Sequence, residues 1–180
     1  MNKQLVIGTL VGGLILFFWQ FISFGLMNLH GAEMTYTPKQ DQILEALNGL
    51  DLEEGTYMVP SVAPEKMADR DALMEPYIGK PWAQVSYHKS LEMSMSMNLI
   101  RGLIIDLLSA FLLVWLLMKF EKRDFKTCVT ASIVVGVIGY LTIPYLNTVW
   151  FKTSSIGYLI DAFVVWGLVG AWLGWWLNRE

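Results

Sequence analysis

Four stretches of this chain, residues 5–27, 97–118, 127–149 and 156–177, are long enough to cross a bilayer and almost free of charge. A hydrocarbon core about 30 Å thick needs roughly 20 apolar residues at 1.5 Å each, and every stretch meets that length. Together they make up half of the 180 residues, yet Arg101, Asp106 and Asp161 are their only charged side chains. A soluble domain of this size has no interior large enough to hide so much apolar chain, so the sequence calls for lipid. The predicted fold is an all-α polytopic membrane bundle of four transmembrane helices, with a small α+β extracytoplasmic insertion between helices 1 and 2. Residues 1–27 form the first helix, 28–96 the cap, and 97–180 helices 2 to 4. The first stretch is read as uncleaved, because it exceeds a signal-peptide core and no small-x-small site follows it.

Short-loop cations set the orientation. Residues 119–126 hold Lys119, Lys122, Arg123 and Lys126, whereas loop 150–155 holds only Lys152. The positive-inside rule places 119–126 in the cytoplasm and, with four spans, both termini beside it. The segment 28–96 is then outside, and its five cations against eleven anions make it a poor nucleic-acid binder. The single cysteine, Cys128, cannot staple that segment with a disulfide. The eight tryptophans fall mostly near the predicted membrane boundaries and read as an aromatic belt.

Within the cap, Thr37-Pro38-Lys39-Gln40 has the form of a capping box opening a helix that runs to Asn48, with Gly49 as a left-handed stop. A second helix is expected from Pro64 to Met74, ending before Pro76. Thr56–Val59 and Trp82–Tyr87 have strand composition and suggest a two-stranded ribbon. The cap is small and poor in large apolar residues, so it is expected to lean on the bundle or on a partner.

Helices 2 and 4 share a phrase at identical spacing, Gly102-Leu103-Ile104-Ile105-Asp106 and Gly157-Tyr158-Leu159-Ile160-Asp161. This echo suggests two parallel hairpins with the cap inserted in the first. Both aspartates are expected in the outer half of the bilayer, where an ionised carboxylate costs about 2.5–3.5 kcal/mol. Arg101, the sole basic residue of the spans, is the economical partner for Asp161. Asn98, Gly102, Asp106 and Ser109 recur on one helical face, with Arg101 at its border and Gln20 on helix 1 able to extend the network. The cluster Arg101, Asp106, Asp161, Asn98, Ser109 and Gln20 reads either as a structural pin or as a proton or cation site. A polar path to the cytoplasmic side is missing below Ser109.

Gly8 with Gly12 and Gly170 with Gly174 are spaced for close helix packing, inside the monomer or between copies. His88 with Met93 and Met97 is a chemically coherent Cu(I) set, and His30, Glu33, His88 and Glu92 form a weaker zinc alternative. No phosphate loop, zinc-protease helix or nucleophile elbow is present, and no cofactor is called for. The chain is therefore expected not to be an enzyme.

An aromatic-rich first helix ending in Trp19-Gln20-Phe21, the phrase Gly79-Lys80-Pro81-Trp82, and a last helix with Gly170-Ala171-Trp172-Leu173-Gly174-Trp175-Trp176 carry a resemblance. They resemble a family of small bacterial inner-membrane proteins of about four spans whose function is unknown. The resemblance implies a topology and a bacterial inner (cytoplasmic) membrane setting, and no activity. The expected role is a non-enzymatic accessory, assembly or scaffold component whose partners are the lipid bilayer and a membrane protein or a second copy. The alternatives are a small-ion or proton-linked transport component, or extracytoplasmic Cu(I) handling through His88 and the Met93 to Met97 run.

Overall fold

The computed structural model describes residues 3–92 and 94–179. Four helical runs are long and apolar enough to cross a membrane: Lys3–Leu26, Met95–Leu117, Phe125–Phe151 and Ile156–Trp176. They coincide with the four uncharged stretches to within a few residues. The first run is α1 (Lys3–Gln20) continued by a π-helical turn, Phe21–Leu26. Next come α2 (Gln40–Asn48), β1 (Gly55–Val59), a 3-10 segment (Pro64–Asp69), α3 (Arg70–Met74), a 3-10 turn (Glu75–Tyr77) and β2 (Ala83–Tyr87). The second span is α4 (Met95–Leu117). The third is α5 (Phe125–Tyr140), a π-helical stretch Leu141–Tyr145 and α6 (Leu146–Phe151); α7 (Ile156–Trp176) is the fourth. The widened turn in the third span holds Pro144, which lacks the N–H an α-helical ladder requires.

Two compact units result, Met1–Thr35 with Ser94–Glu180, and Tyr36–Met93. In the larger unit α1 packs along α4, α5 packs along α7, and α1 also meets α7, while α4 barely touches α5. That is the two-hairpin arrangement suggested by the repeated phrase. Residues 28–35 fold with the helices rather than with the small unit, so the division falls later than residue 28.

The core of the larger unit joins Leu16, Ala110, Leu113, Val114, Leu117, Cys128, Val165, Val169, Leu173 and Leu177. Elsewhere the helices turn apolar side chains outward; Ile143 is 72% exposed and Ile105 62%. Such a surface is stable only where the surroundings are themselves apolar.

The glycines explain how the helices approach. A Cβ on Gly170 would lie 2.8 Å from the Val129 Cα, and one on Gly174 would lie 3.0 Å from the Phe125 Cα, so both serve the α5–α7 contact. On α1, Gly8 faces Val114 and Leu173, and Gly12 faces Ala110 and Val169. Each of the four is used within this one chain. At the core end of the bundle Trp176 Nε1 donates to the Gln4 carbonyl (3.0 Å), and Asn178 Nδ2 donates to the Arg123 carbonyl. The start of α1, the end of α7 and the charged loop therefore share one end.

In that loop Asp124 caps α5 by accepting the Thr127 N–H at 2.8 Å. This bond, with Lys122 3.2 Å away, pushes the Asp124 pKa down to about 2 from 3.8. A depressed carboxylate stabilises the fold above its unfolded pKa, so the contribution is whole above about pH 4 and disappears as pH falls through about 2. Asp124→Ala should speed hydrogen exchange in the first turn of α5, whereas Asp124→Asn, an equally good cap, should preserve protection.

In the smaller unit β1 and β2 pair antiparallel with Gly55 opposite Tyr87 and Val59 opposite Ala83. The Tyr87 hydroxyl donates to Asn48 Oδ1 at 2.8 Å and ties the ribbon to α2. Two local expectations fail. The Thr37 hydroxyl accepts from Lys39 N in a turn, so the capping box is not made and α2 starts at Gln40. Gly49 remains right-handed (φ −69°), and Asp51 takes the positive φ of 50° instead. The second helix is mostly 3-10, with α-helical hydrogen bonding confined to Arg70–Met74.

Candidate functional site

Asp161 lies five residues into α7, on the side that meets α1. Three donors converge on it: Trp19 Nε1 at 2.8 Å, Ser23 Oγ at 2.7 Å and His30 Nε2 at 2.9 Å. The π-helical turn after Gln20 carries Ser23, whose side chain is completely buried. Asn28, at φ 48°, then ends the helix in the left-handed region and folds the chain back. The fold-back delivers His30 to α7, where Gly157 leaves room for it; a Cβ there would stand 2.9 Å from the imidazole and 2.7 Å from the Leu29 carbonyl oxygen. The imidazole is 5% exposed, stacks on Phe24 at 3.8 Å and meets the edge of Tyr158.

The other nitrogen of His30, Nδ1, lies 2.7 Å from Glu33 Oε1. Glu33, His30 and Asp161 thus form one line, and both contacts are hydrogen bonds only when two protons are shared among the three groups. The order Ser23, His30, Glu33 is that of a nucleophilic triad, but Ser23 Oγ is wholly buried and donates to Asp161, so it is not offered to a substrate.

Asp106 is the twelfth of the 23 residues of α4 and sits at its middle, deeper than expected. Its side chain is 5% exposed, and both of its oxygens accept from Gln20 Nε2, at 2.9 and 3.0 Å. Neighbouring residues of α1, Trp19 and Gln20, therefore serve the two aspartates separately. Both carboxylates line one cavity of about 380 Å³, together with Gln20, Ser109, Trp166 and Phe24. A wider, mainly apolar groove of about 800 Å³ between α1 and α4 shares Gln20 and Phe24 with it and includes Asn98.

Of the predicted cluster, Gln20, Asp106, Ser109 and Asp161 come together, and Asn98 lines the adjoining groove. Arg101 does not join them. It is exposed on α4, and among the described residues it forms no ion pair, so the expected Arg101–Asp161 bridge is replaced by His30–Asp161. The physical reason is rotational. Arg101 stands five residues before Asp106, about 140° away around the helix axis, so it faces outward when Asp106 faces the core. Trp19 also departs from the belt reading, since its indole N–H is spent on Asp161.

Sequence reasoning missed His30, Ser23 and Glu33 as members of this centre. The i,i+3 spacing of His30 and Glu33 was visible, but their return to α7 depends on the Asn28 turn. His88 is exposed and borders a groove with Glu54 and Glu92 in the smaller unit. Met97 is on α4, and Met93 lies outside the described residues. Among the described residues no group of three or more His, Cys, Asp or Glu side chains is arranged to hold a metal ion. At 2.7 and 2.9 Å the contacts of His30 are direct and leave no space for an ion between the partners. No protein-family model, curated protein or solved structure matches the chain.

Proposed function

We propose that this protein is a non-enzymatic component of the bacterial inner membrane that binds and releases a proton or small cation at the Asp106–Asp161 centre, as part of a transport process. The observation that carries this reading is that both carboxylates line one cavity while Arg101 pairs with neither. Among the described residues the His30 imidazole is the only basic group in contact with Asp161 and Glu33, and Asp106 has none. Uncompensated carboxylates in a low-dielectric interior are costly, so protons or a cation must accompany them. The cation-rich loop 119–126 favours an inner-face position for the end of the bundle that it shares with both termini, which supports a centre reaching from the middle of α4 at Asp106 toward the outer face at Asp161. The dry core from Ala110 and Val169 to Leu117 and Leu177 closes the inner side, which suits an outward-facing half-site better than a pore through one copy.

Proteoliposomes carrying an internal pH dye provide the test. Under an imposed proton gradient the wild type should dissipate it, Asp106→Asn and Asp161→Asn should slow this at least about tenfold, and Arg101→Gln should stay within about twofold. Equal rates for wild type and both aspartate variants would overturn the proposal.

A second reading, an accessory, assembly or scaffold role, is favoured by a separate observation. In the unit Tyr36–Met93, Tyr87 is the only buried side chain among the described residues, and Leu50, Ile78 and Leu91 are 65, 81 and 88% exposed. That is more apolar surface than a self-sufficient domain displays, and it favours a membrane-protein partner or self-association.

A further inference from the structure

The lining of the cavity between Asp106 and Asp161 discriminates among cations. Besides the carboxylates it presents the rings of Trp19, Phe24 and Trp166. A hard metal ion prefers several oxygen ligands in a regular shell and gains little from aromatic carbon. An organic ammonium ion gains from both parts of this lining, because its charge is drawn to carboxylates and to ring faces while its carbon atoms are removed from water. Size points the same way. A volume of about 380 Å³ lies in the range of small-molecule pockets and is far larger than a proton or a bare metal ion fills.

Access is compatible with such a guest. The apolar groove of about 800 Å³ runs beside the cavity, with Phe17, Phe21 and Leu99 along it, and Gln20 and Phe24 stand at the junction. Gln20 is exposed, and its amide supplies the hydrogen bonds that Asp106 makes among the described residues. Gln20 lines both the groove and the cavity, so the side chain that bonds Asp106 is also part of the groove wall. The charge balance also leaves room for a cation, since among the described residues His30 is the only basic side chain in contact with any of Glu33, Asp106 and Asp161, and their other partners, Trp19, Ser23 and Gln20, are neutral.

The geometry points to this cavity as a binding site for a small organic ammonium ion, held between Asp106 and Asp161 and against the rings of Trp19, Phe24 and Trp166. The inference rests on the cation-binding reading above and adds the class of ligand. A free amine and the ethanolamine headgroup of a lipid share this chemistry.

The test uses the full chain in nanodiscs of phosphatidylglycerol, with tetraethylammonium titrated against tryptophan fluorescence and calorimetry. Saturable binding is expected, weakened at least about tenfold by Asp106→Asn and by Asp161→Asn, and unchanged within about twofold by Arg101→Gln. Ser109→Leu narrows the cavity while keeping every charge and should weaken binding to a similar degree. Absence of saturation in the wild type overturns the site, as does wild-type binding by Ser109→Leu and by both aspartate variants. Nanodiscs containing phosphatidylethanolamine separate the sources. Competition with the probe supports the headgroup as occupant, and no competition supports a free ammonium ion. Ammonium binding without proton flux supports the site and overturns the transport reading, whereas flux without ammonium binding overturns the site alone.

Discussion

Asp161→Ala is expected to destabilise the detergent-solubilised protein by about 3 kcal/mol, the lower end of the range for removing one partner of a buried ion pair. The low end applies because Asp161 keeps 19% exposure and so is not fully enclosed by protein. Three donors from two segments, Trp19, Ser23 and His30, lose their common acceptor at once. His30 is held in place by its stacking on Phe24 and its position beside Gly157, and it would keep only the longer 3.2 Å contact of Nε2 with the Ser23 hydroxyl. Asp161→Asn retains one oxygen for Trp19 and Ser23 but sets an amide group against the imidazole, so a loss of about 1–2 kcal/mol is expected. Equilibrium unfolding in a mild detergent measures both. A change below about 1 kcal/mol for the alanine variant would show that the centre contributes little to stability.

The second large effect lies on α5, where two glycines three residues apart should respond in opposite directions. A Cβ on Gly136 would stand 2.3 Å from Trp166 Cδ1 and 2.6 Å from the Ala162 carbonyl oxygen. The indole can turn, but the carbonyl belongs to the α7 backbone, so Gly136→Ala must push α5 and α7 apart. Overpacking of this kind costs about 3 kcal/mol, at the upper end of its usual range. Gly139 has nothing within 4 Å of the same hypothetical atom. Gly139→Ala should therefore be neutral or stabilising by up to about 1 kcal/mol, the helix-propensity gain alone. Thermal midpoints of the two variants in the same detergent decide the matter, and a shared direction of change would contradict the packing described for α5 and α7.

Much of the architecture was legible in the chain. The four spans, the pairing of α1 with α4 and of α5 with α7, and the ribbon of β1 and β2 follow from charge-free length, a repeated phrase and strand composition. The caps were less legible. Thr37 and Gly49 carry the right side chains for a capping box and a left-handed stop, but local turns at Thr37 and Asp51 satisfy the same backbone groups another way. The aspartates were recognisable as residues in need of partners, and their partners were not. Arg101 is singled out along the chain by being the sole basic residue of the spans, whereas the deciding variable is the direction each side chain takes around its helix axis.

What the sequence determined by itself is the protein's solvent and its division into spans, because a bilayer imposes a one-dimensional requirement, a length of chain without charge, that can be read along the chain. Which groups share the buried space is settled by how the helices pack. Asp161 meets His30, Ser23 and Trp19 because a π-helical turn, a left-handed Asn28 and the bare backbone of Gly157 bring three separate stretches to one point. Asp106 meets Gln20 because close contacts at Gly8, Gly12 and Gly13 set the rotation of α1 against α4 and α7. Those are facts about angles and distances between helices, fixed by packing in three dimensions, and no spacing along the chain encodes them singly.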